Sequence, residues 1–177
     1  MMSKNIGLLL TVLFGILAVA TSSLLFHSYG FPAYIQTIAI LFVAAAGEHF
    51  VSGKGYYHYT HINGVFIGRV PTWIPLLWVT VIQGSLIFPM ILGINLIDAI
   101  SISGLLCVSL DFYILEPLLS RKLGMWRWTA VKQGYFKFIP KQVNRFTAPF
   151  GNYLTWLIFP VVLNAFLRYM IIIPILL

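Results

Sequence analysis

The chain reads as an all-α, polytopic integral membrane helix bundle, and two observations lead there. Sixty per cent of its residues are hydrophobic and only 8% are charged, with a mean hydropathy of +0.93, whereas about a quarter of the residues in a soluble domain are charged. The apolar residues also fall into five runs long enough to cross a bilayer, separated by glycine, proline and aromatic punctuation. At 177 residues the chain has the size of one domain, so residues 1–177 form a single membrane unit.

The first span covers residues 6–26. Lys4, the apolar stretch and Ala18-Val19-Ala20 have features of a signal peptide, but the run continues through Leu24, Leu25 and Phe26, and it is read as a retained helix. Pro32 suits the first turn of a second helix over residues 33–48, ending at Glu48 or His49. Pro71 and Pro75 set the start of the third, which runs to Leu92 before the Gly93-Ile94-Asn95 turn. The fourth covers residues 96–119, and the fifth begins near Asn152. Residues 50–72 are too polar to span yet unusually aromatic, and are expected at the interface or re-entering the membrane. Residues 120–150 mix Trp126, Trp128, Tyr135, Phe136 and Phe138 with seven basic residues, a pattern expected to lie flat on the headgroups.

The eleven lysines and arginines give the orientation. Ten of them, from Lys4 through Lys54, Arg69 and the cluster Arg121–Arg145, fall on one side of the five spans; Arg168 is the exception. The positive-inside rule then makes this a multi-pass cell-membrane protein with a cytoplasmic N-terminus and an external C-terminus. The net charge of +7 belongs to these loops, which face anionic lipid, so membrane lipid and not nucleic acid is the expected partner. The single cysteine, Cys107, lies in an apolar run and cannot form an intramolecular disulfide.

Four carboxylates remain, and an ionisable residue in a span is a functional candidate by default. Glu48 closes the second span; Asp111 and Glu116 occupy the same-side half of the fourth. Asp98 is thirteen residues from Asp111, roughly 20 Å along a helix, and stands at the opposite face. On an α-helix Asp111 and Glu116 lie about 140° apart, so at most one faces a given partner. Asp111 is preferred, since Glu116 beside Pro117 is in reach of Arg121 or Lys122. The structural alternatives stay open: Glu48 capping or pairing with Lys54 or Arg69, Asp111 bonding a tyrosine between helices, Asn152 as a plain N-cap, and the tyrosines and tryptophans as an interfacial belt.

His49, His58 and His61 stand near Glu48, but four histidines in all are few for a histidine-rich iron site, and no metal is expected. No Gly-x-Gly-x-x-Gly or Walker pattern occurs, so dinucleotide and ATP chemistry have no support. Nor is an inverted repeat or a pair of broken helices apparent.

Several segments together resemble a known family. They are Glu48 followed by Gly55-Tyr56-Tyr57-His58-Tyr59-Thr60; Gly68-Arg69-Val70-Pro71-Thr72-Trp73-Ile74-Pro75-Leu76-Leu77-Trp78; Asp111 with Glu116-Pro117; Gly124-Met125-Trp126-Arg127-Trp128; and Pro149-Phe150-Gly151-Asn152-Tyr153-Leu154-Thr155-Trp156. In this order, over residues 47–156, they resemble the carotenoid biosynthesis protein family, which includes membrane carotenoid hydratases of the bisanhydrobacterioruberin and gamma-carotene type. The resemblance implies a cofactor-independent hydro-lyase that adds water to the terminal C=C of a carotenoid or related polyisoprenoid, by acid catalysis through a tertiary carbocation. It implies Glu48 or Asp111 as proton donor, since a carboxyl group buried in an apolar medium holds its proton. Tyr57, Tyr59, Trp73, Trp78, Asn152 and Trp156 would bind substrate or stabilise the cation, with His58 and Glu116 as secondary candidates. Association with other membrane enzymes of the pathway is a further implied partner. Two rivals are a non-catalytic carotenoid-binding membrane protein and a small proton-coupled transporter using the acids as a relay.

Overall fold

A computed structural model describes residues 5–129 and 146–176. Five helices carry the fold: α1 (Asn5–Tyr29), α2 (Phe31–Gly53), α3 (Trp73–Ile91), α4 (Leu96–Leu110) and α5 (Phe150–Leu176). Asp111–Lys122 continues α4 as a π-helical segment, so the fourth apolar span runs over Leu96–Lys122. All five are long and apolar enough to cross a membrane. Their outer faces carry exposed residues such as Leu9, Ile16, Ile38, Phe42 and Leu105, as expected of helices whose solvent is lipid.

α3 is the axis of the bundle. It touches each of the other four helices, and 56% of its most apolar window is buried, against 17–33% for theirs. Trp73, Val79, Ile82 and Leu86 along it are fully enclosed. At mid-depth an amide relay ties four helices together. Gln83 Oε1 accepts from Thr21 and Ser22 of α1, and Gln83 Nε2 donates to Gln36 Oε1 and Thr37 Oγ1 of α2. Gln36 Nε2 in turn donates to Asn164 Oδ1 of α5 at 2.8 Å, and Asn164 returns a bond to the Ile82 carbonyl. Such groups hold membrane helices together because hydrocarbon offers them no other partner.

α4 and α5 approach more closely than side chains would allow. A Cβ on Gly104 would run into the Leu157 carbonyl, so the absence of a side chain sets the spacing of this pair.

Residues 50–72, expected at the interface or re-entering the membrane, and the described part of 120–150, expected on the headgroups, both form short strands. Tyr57–Tyr59 forms β1 and Trp126–Trp128 forms β4, paired antiparallel with Tyr57 opposite Trp128, His58 opposite Arg127 and Tyr59 opposite Trp126. Between them in sequence, β2 (Phe66–Ile67) and β3 (Val70–Pro71) make a small hairpin whose turn uses Gly68 at φ 62°. The described part of 120–150 is therefore not flat on a surface: Met125 and Trp126 are buried. Tyr135, Phe136 and Phe138, with Lys132, Lys137, Lys141 and Arg145, lie outside the described residues, as does Lys4.

The strand pair closes symmetrically. Thr60 N donates to the Met125 carbonyl and Thr129 N to that of Tyr56, both at 3.0 Å. Thr60 Oγ1 donates to the Gly124 and Met125 carbonyls, and Thr129 Oγ1 to those of Gly55 and Tyr56. Gly55 and Gly124, at φ 77° and 65°, make the turn that leads each helix into its strand. Gly-x-Tyr-x-Tyr-Thr and Gly-x-Trp-x-Trp-Thr are thus two copies of one unit related by a local two-fold. This is a parallel repeat, in which both parent helices run toward the same end of the bundle.

Replacing Gly104 by alanine should force α4 from α5 and cost about 1–3 kcal/mol of stability. Gly84→Ala, where a Cβ meets open space, should be neutral or stabilising by up to about 1 kcal/mol. Thermal unfolding of the two purified variants in detergent checks the contrast.

Candidate active site

The strand pair roofs a cavity of about 40 Å³ at one end of the bundle. That is room for a few water molecules, since about 10–15 Å³ of such space holds one. Glu48, Asp111 and Glu116 all line it, with Tyr57, Tyr59, Trp126 and Trp128 from the strands, Trp78 from α3, and Asn152 and Trp156 from α5. Ile74, Leu77 and Leu115 complete the wall.

Each acid is met by neutral donors. α2 continues past Glu48 to Gly53, so this carboxyl group turns in from within the helix. Its Oε2 accepts from the Tyr57 hydroxyl and from that of Tyr59 at 2.7 Å. Lys54 and Arg69 are not its partners: Lys54 lies over the Phe50 ring, and both are exposed. Asp111, 2% exposed, accepts from Asn152 Nδ2 at 2.7 Å and not from a tyrosine. Asn152 lies inside α5 and is not an N-cap. Glu116, 1% exposed, accepts on Oε1 from the indole N–H of Trp126 at 3.0 Å and of Trp128 at 3.1 Å. Arg121 and Lys122 are exposed and form no ion pair with it, although the Arg121 charge acts on it from a distance.

That Asp111 and Glu116 share one cavity follows from the π-helix. Pro117 has no N–H to donate, and its ring would strike the Tyr113 carbonyl in an α-helix. Widening the turn relieves that clash, and bonds from i to i+5 place residues five apart one above the other. The angle expected from α-geometry does not apply here.

The strand alternation sorts the remaining candidates. Tyr57, Tyr59, Trp126 and Trp128 face the acids, while His58 and Arg127 face outward, where with His61 they line a separate surface groove. His58 is therefore not brought to the acids. Neither is Trp73, which is fully buried behind Trp126, stacked on Phe14 at 6.1 Å, with its indole N–H on Asn63 Oδ1. Asn63 also donates to the Met125 carbonyl at 2.6 Å, so Trp73 and Asn63 anchor the roof. Trp126 and Trp128, expected only among residues on the headgroups, join the site; the signal that could have placed them there is their every-second-residue spacing, which matches that of Tyr57 and Tyr59. On the far wall Trp78 and Trp156 lie 5.0 Å apart between centroids, with Phe159 edge-on to Trp78. Asp98, exposed at the start of α4 and bonded to Asn95, takes no part.

Fold and site together define a polytopic membrane protein with a buried, acid-lined and aromatic-walled chamber near one bilayer face. The chain belongs to the carotenoid biosynthesis protein family, whose model matches residues 7–174, and its role lies in carotenoid biosynthesis. No curated protein sequence and no solved structure gives a match.

The two phenols beside Glu48 are pushed well above the ordinary tyrosine range, first by burial and then by the nearby Glu48 charge. The unfolded chain would therefore release these protons at lower pH than the folded protein, so stability should fall as pH rises above about 10. Melting temperatures across alkaline pH check this: Y57F/Y59F should show a shallower fall than the wild type.

Proposed function

We propose that this protein is a hydratase that adds water across the terminal C=C of a carotenoid or related polyisoprenoid. The observation that carries the reading is the meeting of three carboxyl groups, none paired with a cation among the described residues, inside one aromatic-walled chamber. Hydration of a trisubstituted alkene needs a proton donor, a stabilised tertiary cation and a held water. A chamber of carboxyl groups supplies acid and base, and the faces of Trp78, Trp156, Tyr57 and Tyr59 suit the cation, by roughly 2 kcal/mol or more when desolvated. The reaction is neither an oxidation nor a reduction, so its electron balance calls for no redox cofactor.

Position supports the same reading. Glu48 lies five residues from the end of α2, about 8 Å along the helix, at the depth where an extended polyene in the hydrocarbon would present its end group to water. The chamber fits that end group only by widening, and the rest of the chain would remain among the lipids. The described basic residues Lys54, Arg69, Arg121, Lys122 and Arg127 gather at this end, which we assign to the cytoplasmic side; the N-terminus then faces the cytoplasm and the C-terminus the outside. Other membrane enzymes of the pathway are natural neighbours for a protein whose substrate and product stay in the bilayer.

A transporter is less favoured. Between the chamber and the outer face stand the satisfied amide relay and a second core cluster around Leu25, Ala33, Leu86, Ala99, Ile100 and Leu167, and Asp98, exposed and bonded to Asn95, lies beyond them. A binding protein without turnover would share the chamber, and product analysis separates it from an enzyme. In a host making acyclic carotenoids, the wild type should yield pigments heavier by one water. E48Q and D111N should each lower that yield by about 10²-fold or more. Undiminished product from E48Q would remove Glu48 from the mechanism.

A further inference from the structure

The roof presents two acids in equivalent places and gives them unlike partners. Glu48 is bound by aromatic donors nine and eleven residues on, and Glu116 by donors ten and twelve residues on. Each pair stands on its own copy of the Gly-x-aromatic-x-aromatic-Thr unit, and the two copies pair across the local two-fold. In one copy the donors are phenols, in the other indoles. A phenol both donates and accepts and can pass a proton along; an indole N–H only donates.

The two carboxyl groups also differ in what is left over. Both phenols occupy one oxygen of Glu48, but this residue is only half-buried and its other oxygen is not a buried atom left without a partner, so the group can carry a charge. Both indoles occupy Oε1 of Glu116, and Oε2, buried, has no hydrogen-bond partner among the described residues. An ionised oxygen left bare in an apolar wall is the costliest state available to it. Glu116 lines the chamber, so a hydroxyl on this group can be turned toward the space there while the indoles draw on its carbonyl oxygen.

We propose that Glu116 is the proton donor of the hydration and Glu48 its base, the indole pair and the phenol pair having divided the roles of two symmetry-equivalent acids. This rests on the hydratase reading and deepens it. Glu116 Oε2 gives its proton to the alkene carbon that bears hydrogen, the π pair forming the new C–H bond and leaving a tertiary cation on the neighbouring carbon. A lone pair of the held water closes on that carbon as the C–O bond, and the resulting oxonium passes its extra proton to the Glu48 carboxylate. Return of that proton to Glu116, through the phenols and chamber water, restores the protein; the net change is alkene plus water to tertiary alcohol. Trp126 and Trp128 are positioning residues.

Glu116→Gln keeps a carbonyl oxygen for the indoles but has no acidic proton, so it should preserve the fold. Pigment analysis in a host making acyclic carotenoids should show hydrated product reduced by 10²–10⁴-fold, as loss of a general acid implies. A second readout needs no substrate. Infrared difference spectra of membranes from a strain lacking carotenoids should show the carbonyl stretch of a protonated carboxylic acid that shifts in D2O. It should be lost in E116Q, retained in E48Q and displaced in W126F and W128F as its indole donors disappear. If the wild type makes hydrated pigment but E116Q stays within a few-fold of it, or lacks the infrared change, this division of labour is overturned and the hydratase reading stands. If the wild type makes none, both fall.

Discussion

A carboxyl group withdrawn from water must be met by donors or lose its place in the fold, and three of them set the terms for this end of the bundle. None has a cation within the chamber. Phenols serve Glu48, indoles serve Glu116 and an amide serves Asp111. Neutral donors satisfy an acid without fixing its charge, which an arginine or lysine would do. They leave each group able to exist with or without its proton, and that freedom is what proton-transfer chemistry requires. The strand pair exists to deliver four of these five donors from directions that the helices cannot reach.

The π-helical segment answers the same demand from the other side. Two acids five residues apart on an α-helix would diverge, and one would have to face lipid. Pro117 removes the bond and creates the clash that make the wider turn the better solution, so a residue that usually breaks helices here brings Asp111 and Glu116 into register. The tight seam at Gly104 then brings α5 near enough for Asn152 to reach Asp111.

Much of this was legible in the residues, and what was not has physical causes. The five spans follow from hydropathy, because a bilayer leaves few alternatives to helix. Glu48, Asp111, Tyr57, Tyr59, Trp78, Asn152 and Trp156 were named in advance and stand around one cavity. Three-residue strands were missed because two alternating positions are too few to establish a period. Only the pairing of β1 with β4 turns the matching every-second-residue spacing of Tyr57, Tyr59, Trp126 and Trp128 into one shared face, with His58 on the other. Glu116 ranks behind Asp111 only on an angle that holds for an α-helix, and Arg121, in reach of it by sequence, is exposed and acts on it through its charge without forming an ion pair. Trp73 shares the composition of the chamber wall but is spoken for by Asn63, a long-range pairing that no local pattern discloses.

The two-fold pairing of β1 with β4 also imposes an order on biogenesis. Residues 55–60 leave the ribosome several seconds before 124–129, at about 5–20 residues per second, and two further spans must be inserted in the interval. Until then the first half-roof has no counterpart and Glu48 lines no closed cavity. The chamber is thus closed only with the second copy, and a nascent chain interrupted between the halves is a lipid-embedded hairpin whose acid has no roof.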